Sequence, residues 1–268
     1  MPIRMSKETM KEAFLRDLDR FFAHPEIASA TVRDIVITRE TVNEAGRRAF
    51  DAGFHDLYSD IDLSLKVRLP ENGTVTPEDY LKRIDRFGVT DDAALGFMFI
   101  PIHQTYRIIF KNGMRYDLSF GFEYEGEEPL VLKPDAGEED NADWPLENIE
   151  RFWFVQVQAL GKLYRKDYLI SGHLANMNCN DTLVMQMIMR DKKHGTSHHR
   201  YGYAEELEYV KELGKNPYSG GDMTFGRIAD RLYAAALAYD RLAKCFYPGY
   251  ENRSDAFFAI WDWYDSFQ

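Results

Sequence analysis

Tyr58-Ser59-Asp60-Ile61-Asp62-Leu63-Ser64-Leu65 alternates polar and apolar residues, and its reading decides the fold of the first half of the chain. Successive side chains of an extended strand point to opposite faces. Asp60, Asp62 and Ser64 therefore share one face, while Ile61, Leu63 and Leu65 share the other, which turns toward a core. Two carboxylates held side by side repel each other unless a cation sits between them. A hard divalent ion such as Mg²⁺ is held by one or two carboxylates together with substrate phosphates. The alternative is a solvated strand face carrying two unrelated acids. Acids are depleted in strands, but Asp-x-Asp is too short to choose between the two by itself.

Downstream, Asn112-Gly113 separates two β-rich runs, 106–110 and 114–120, and marks a hairpin. In its second strand Arg115, Asp117 and Ser119 share one face, and Met114, Tyr116, Leu118 and Phe120 the other. Asp117 is then a third carboxylate on a polar strand face. Two acids on one strand and a third on a neighbour form an arrangement suited to two metal ions around a nucleoside triphosphate.

Upstream, residues 6–23 carry Met10, Phe14, Leu18, Phe21 and Phe22 at helical spacing. Residues 31–38 (TVRDIVIT) are β-branched and predict one strand. Residues 39–58 form a polar, glycine-containing segment without a clear strand. After the aspartates, residues 66–76 carry Pro and Asn-Gly signals that end or turn the strand. Thr76-Pro77 then predicts a helix start, running to Arg86 and stopped by Phe87-Gly88. The stretch 123–144 is acidic and rich in Pro and Gly, and reads as a connection between domains. Beyond it, 146–169, 174–190, 203–213, 223–246 and 254–267 all have helical periodicity. The expected fold class is α+β: a mixed β-sheet domain with flanking helices over 1–145, then an α-helical bundle over 146–268.

The 268 residues are 45% hydrophobic and 14% aromatic, which excludes a disordered chain and allows one or two domains with substantial cores. No apolar run approaches the roughly 18 residues of a membrane span, and no apolar signal core follows Met1. Cys179 and Cys245 are too few for a disulfide framework. The expectation is a cytoplasmic protein without membrane contact. A formal charge of −11 argues against binding nucleic acid backbone and suits a small cationic partner.

Ser59-Asp60-Ile61-Asp62-Leu63 together with Arg115-Tyr116-Asp117-Leu118 resembles the nucleotidyltransferase superfamily, which carries Ser-Asp-x-Asp on one strand and a third Asp on another. The resemblance is closest to the aminoglycoside 6-adenylyltransferases, which modify streptomycin. It extends to the Asn-Gly turn before the third aspartate, to Tyr80-Leu81 and Phe87-Gly88, and to Phe152-Trp153-Phe154-Val155 with Leu163-Tyr164-Arg165. It spans roughly residues 30 to 250.

Two departures stand out. The superfamily has Gly-Ser about a dozen residues before the first Asp, where it binds the triphosphate. By spacing, Gly46-Arg47-Arg48 takes that place, with Arg47 for the serine. Arg47 or Arg48 then contacts phosphate, or both are surface arginines on a helix. The family's Lys-Gly in the second domain is reversed here as Gly161-Lys162, which displaces the lysine by about 100° around a helix of 3.6 residues per turn. Lys162, Arg165 and Lys166 are candidate partners for the β- and γ-phosphates, or a solvated basic helix end.

The resemblance implies transfer of AMP from ATP to a hydroxyl of an aminoglycoside-like small molecule, with pyrophosphate released. Asp60 and Asp62 would ligate two Mg²⁺ ions. Asp117 would ligate the ion nearer the acceptor and help take up its proton, and Ser59 would position the triphosphate. Glu123 and Glu125 would meet substrate ammonium groups, or belong to a solvated acidic linker. His194, His198 and His199 lack a cysteine or a defined further ligand for zinc and read as a loop between helices. A transferase with another acceptor (a protein side chain or a different antibiotic) and a nucleotide-binding protein with weak or no catalysis both remain open. The sequence does not fix the oligomeric state.

Overall fold

The computed structural model describes residues 6–69, 94–103, 105–124, 141, 143–196, 205–218 and 222–267. The chain divides into two compact units, Ile3–Glu139 and Asp140–Gln268.

In the first unit the described elements are α1 (Lys7–Phe22), β1 (Ile27–Val32), β2 (Ile35–Ile37), α2 (Val42–Gly53), β3 (Ile61–Leu69), β4 (Ala94–Ile100), β5 (Thr105–Phe110) and β6 (Arg115–Tyr124). The strands form one mixed sheet in the order β2-β1-β3-β6-β5-β4. Four neighbouring pairs are antiparallel, and β3 with β6, at the centre, is parallel. The expected α+β class is found.

Alternation in β3 is complete from Ile61 to Arg68. Ile61, Leu63, Leu65 and Val67 are buried, and Asp62, Ser64, Lys66 and Arg68 are exposed. α1 starts at Ser6, whose hydroxyl accepts the Thr9 N–H at 3.1 Å. Its buried face carries Phe14, Leu18 and Phe21, and the Phe14 ring stacks on Tyr116 of β6 at 6.3 Å. Tyr116 is thus on the apolar side of β6, and its neighbour Asp117 faces the other way.

Three sequence expectations change here. Residues 31–38 are not one strand, because the chain reverses at Arg33-Asp34 and pairs Val32 with Ile35. Arg33 has φ 52°, the positive value that a two-residue hairpin needs at its first turn residue. Residues 39–58 contain a helix, α2, whose Val42, Ala45, Gly46, Ala49, Phe50 and Gly53 form a buried stripe. The strand beginning at the aspartates continues to Leu69 instead of ending near Lys66. β4 carries no marked alternation and was not expected. The helix expected over 76–86 lies outside the described residues.

The second unit holds α3 (Leu146–Tyr164), α4 (Tyr168–His194), α5 (Met223–Phe246) and α6 (Ser254–Asp265). The single helix expected over 146–169 breaks after Tyr164. The Lys166 N–H donates to Leu163 O and the Asp167 N–H to Lys162 O, each at 2.9 Å, and Lys166 sits at φ 61°. This is a Schellman stop built on a lysine in the left-handed conformation that usually takes glycine. Asp167 then caps α4, accepting the Ile170 N–H. α4 closes with the same pair of bonds around Gly195, where the positive φ of 63° meets no Cβ. Within 203–213, the described residues hold only a 3-10 turn over Val210–Glu212 in place of the expected helix.

The core of this unit is aromatic. Phe152 stacks on Tyr239 with ring centres 3.5 Å apart, and Trp153, Trp261 and Trp263 are fully buried. Arg253 pairs with Glu150 through two contacts of 2.7 and 2.6 Å and packs within 5.8 Å of the Tyr250 ring. Among the described residues, no helix is long and apolar enough to cross a membrane. Cys179 and Cys245 are both free thiols.

Candidate functional site

Parallel pairing of β3 and β6 sets the geometry of the aspartates. The register places Asp62 opposite Asp117 and Ser64 opposite Ser119. The two serine hydroxyls meet at 2.7 Å on the polar face. Asp60 stands one residue before β3, so all three carboxylates gather at one end of the central strand pair. The three aspartates singled out from the sequence are brought together.

Two arginines complete the cluster, and neither was singled out as a site residue. Arg107 on β5 lies opposite Asp117 in the antiparallel register. Its Nε–H donates to both Asp117 oxygens, at 3.0 and 2.8 Å, and its Nη2 donates to Asp60 Oδ2 at 3.1 Å. Arg115 is buried, places its Nε 2.7 Å from Asp60 Oδ1 and donates from Nη1 to the Tyr58 carbonyl at 3.0 Å. The Nε–H of that short ion pair is not aimed along the contact. Among the described residues the exposed carboxylate of Asp62 has no ion-pair partner. Arg115 was visible in the sequence as a residue sharing a face with Asp117. Finding Arg107 needs the hairpin register, because only the pairing across Asn112-Gly113 sets it against Asp117.

The electrostatics follow from this packing. Burial pushes the Asp117 carboxyl up to about 6, against the pull of Arg107, and the nearby Asp60 and Asp62 carboxylates add to the rise. Burial works to lower the Arg107 guanidinium, but the bond to Asp117 and the charges of Asp117 and Asp60 outweigh it and raise it.

Of the remaining sequence candidates, Glu125, His198 and His199 lie outside the described residues. The Ser59 hydroxyl donates to Asp56 Oδ1 at 2.9 Å, and the Tyr58 N–H meets the same oxygen at 2.8 Å, so Asp56 fixes the approach to β3. Gly46 is not in a phosphate-binding turn. It lies in the middle of α2, where an added Cβ would come within 2.7 Å of Leu15 and 3.1 Å of Leu18. It is glycine because two helices approach closely there. Arg47 reaches Glu12 at 2.7 Å and Glu8 at 3.6 Å on α1, a surface pairing that ties the two helices. Lys162 is on the last turn of α3, 3.9 Å from Asp167, and the exposed Arg165 is the residue that ends that helix. Both belong to the second unit. Glu123 pairs with Lys66 at 2.5 Å on neighbouring strands, and His194 lies 3.4 Å from Glu205 at the end of α4.

The residues do not fit two magnesium ions as they stand. Both oxygens of Asp60 and both of Asp117 face guanidinium groups, which leaves Asp62 alone with free ligand capacity. Among the described residues no group of three or more potential ligands is arranged to hold a metal. What the cluster supplies by itself is a partly buried carboxylate of raised proton affinity, Asp117, held against the Arg107 guanidinium.

Comparisons with protein-family models, with curated proteins and with solved structures found no match to this chain.

Proposed function

We propose that the chain is a nucleotidyltransferase that moves AMP from ATP to a hydroxyl of an aminoglycoside-like small molecule. One observation carries the reading: Asp62 stands opposite Asp117 on adjacent parallel strands, with Asp60 at the same strand end. The acceptor oxygen attacks the α-phosphorus, the bond to the pyrophosphate oxygen breaks, and the acceptor proton passes to Asp117. A carboxylate titrating near 6 holds that proton better than an ordinary aspartate and is still ionised at neutral pH. Arg107 and Arg115 supply positive charge beside the site of transfer, where charge on phosphoryl oxygens needs compensation. The superfamily resemblance of Ser59-Asp60-Ile61-Asp62 and Arg115-Tyr116-Asp117 agrees with this reading.

A second reading, a nucleotide-binding protein with little or no turnover, is favoured by the placement of Gly46 and Arg47. Neither residue is in a turn that would cradle phosphate. Incubation with ATP, Mg²⁺ and a panel of aminoglycosides, followed by mass analysis of the acceptors, separates the two. An acceptor gaining one AMP supports the transferase. ATP binding without any modified acceptor supports the second reading.

A further inference from the structure

The two edges of the sheet are unlike. β2 is only three residues long and follows the charged turn Arg33-Asp34, two devices that keep an edge strand from pairing with another chain. β4, at the other edge, is seven residues long and reads Ala-Leu-Gly-Phe-Met-Phe-Ile, without a charged or polar side chain. Such a run belongs to strands covered on both faces and not to an exposed rim. A bulge at Ala94 and Gly96 disturbs its first residues, but 96–100 pairs regularly with 105–109 of β5. Among the described residues no strand pairs with the outer side of β4. The alternate N–H and C=O groups of 96–100 that face away from β5 therefore meet no strand there, although such groups demand partners. Phe97, Met98, Phe99 and Ile100 are all partly exposed, and Ile102, just beyond them, is 85% exposed.

We propose that the outer edge of β4 pairs with β4 of a second copy of this chain, antiparallel and centred on Met98, joining two six-stranded sheets into one. The strand is complementary to itself in that register. Gly96 of one copy falls opposite Ile100 of the other, Phe97 opposite Phe99, and Met98 opposite Met98. A small residue thus meets a large one and an aromatic ring meets another, pairs that stabilise a ladder. The strand carries no charge, so two copies of a chain with a formal charge of −11 meet where neither repels the other. Because β2 is guarded, β4 can pair only with another β4. That contact is isologous and closes at two copies instead of running on as a fibre. The inference goes beyond the transferase reading and does not depend on it.

The test is sedimentation velocity of the full chain over a concentration series, for wild type, Met98→Lys, Met98→Glu and an equal mixture of the two variants. Wild type should show a monomer–dimer equilibrium. Each variant alone sets like charges directly opposite each other, and its dimer dissociation constant should rise about tenfold. The mixture should dimerise again, because Lys then meets Glu. A wild-type chain that stays monomeric overturns the inference, and so does a dimer that both variants leave unweakened. Variants that do not recover on mixing contradict the pairing centred on Met98. Should the variants fail to fold, amide hydrogen exchange of wild type answers instead. Exchange within 96–100 should slow as the protein concentration rises, and exchange there that ignores concentration overturns the pairing.

Discussion

Tyr116 and Asp117 are consecutive residues on opposite faces of β6; the first sits beside a carboxyl group of raised proton affinity and the second carries one. On the apolar side the Tyr116 hydroxyl donates to Asp17 Oδ2 at 2.5 Å. Burial pushes the Asp17 carboxyl up to about 8, against the smaller opposing effects of that hydrogen bond and of Arg20 and Arg16. Native Asp17 therefore holds its proton where the unfolded chain, near 3.8, has released it. The stability contributed by this proton is complete below pH 3.8 and is lost as pH rises toward 8, with a slope of at most about 1.4 kcal/mol per unit. Asp17→Asn should be the less stable protein at pH 5 only if its amide lacks a partner, but it should lose much less stability than wild type between pH 5 and 8. Urea midpoints at the two pH values check this, and parallel losses would contradict it. On the polar side, removing the proton acceptor of the proposed reaction, as Asp117→Ala, should lower the transfer rate by about 10²- to 10⁴-fold. For wild type the rate should fall below pH 6 as Asp117 takes up its proton. A rate unchanged in the variant would remove Asp117 from the chemistry.

At the scale of elements, the close approach of α1 and α2 makes Gly46 a packing residue. Gly46→Ala sets a helix-propensity gain of about 1 kcal/mol against a small shift of Leu15 and Leu18, so the two nearly cancel. Gly46→Val has no such offset and should destabilise by about 2 kcal/mol, read by thermal melting. A Gly46→Val protein that melts normally but binds nucleotide poorly would return this glycine to a phosphate turn. At the end of α3, Lys166→Gly relieves the left-handed strain and should stabilise by about 1 kcal/mol. These elements also show what the sequence makes legible. α5 and the Asn-Gly hairpin were readable because caps and turn residues coincide with a clean period. Residues 39–58 hid α2 because four of the six residues in its buried stripe are Ala or Gly, which mark a close helix contact but score weakly as apolar. The breaks at Arg33 and Lys166 were invisible because both are non-glycine residues at positive φ, imposed by strand pairing and by a Schellman stop. The aspartates were legible as a face pattern. Their arginine partners were not, because Arg107 meets Asp117 only through the register of the hairpin.

For the whole molecule, the formal charge of −11 bears on the acceptor class. A polycationic acceptor is drawn to an acidic protein by interactions that salt screens over about 10 Å at 0.1 M. Under the proposed function the acceptor KM should therefore rise with added NaCl while the KM for ATP changes less. A salt-independent acceptor KM would argue for an uncharged acceptor. The central claim is that Asp60, Asp62 and Asp117 form one transferase site, and pyrophosphate release tests it most directly. Wild type and Asp60→Asn/Asp62→Asn are compared with ATP, Mg²⁺ and the aminoglycoside panel, after circular dichroism has established that both are folded. The account predicts acceptor-dependent pyrophosphate release by wild type and its loss in the double variant. Undiminished release by the folded double variant would contradict it.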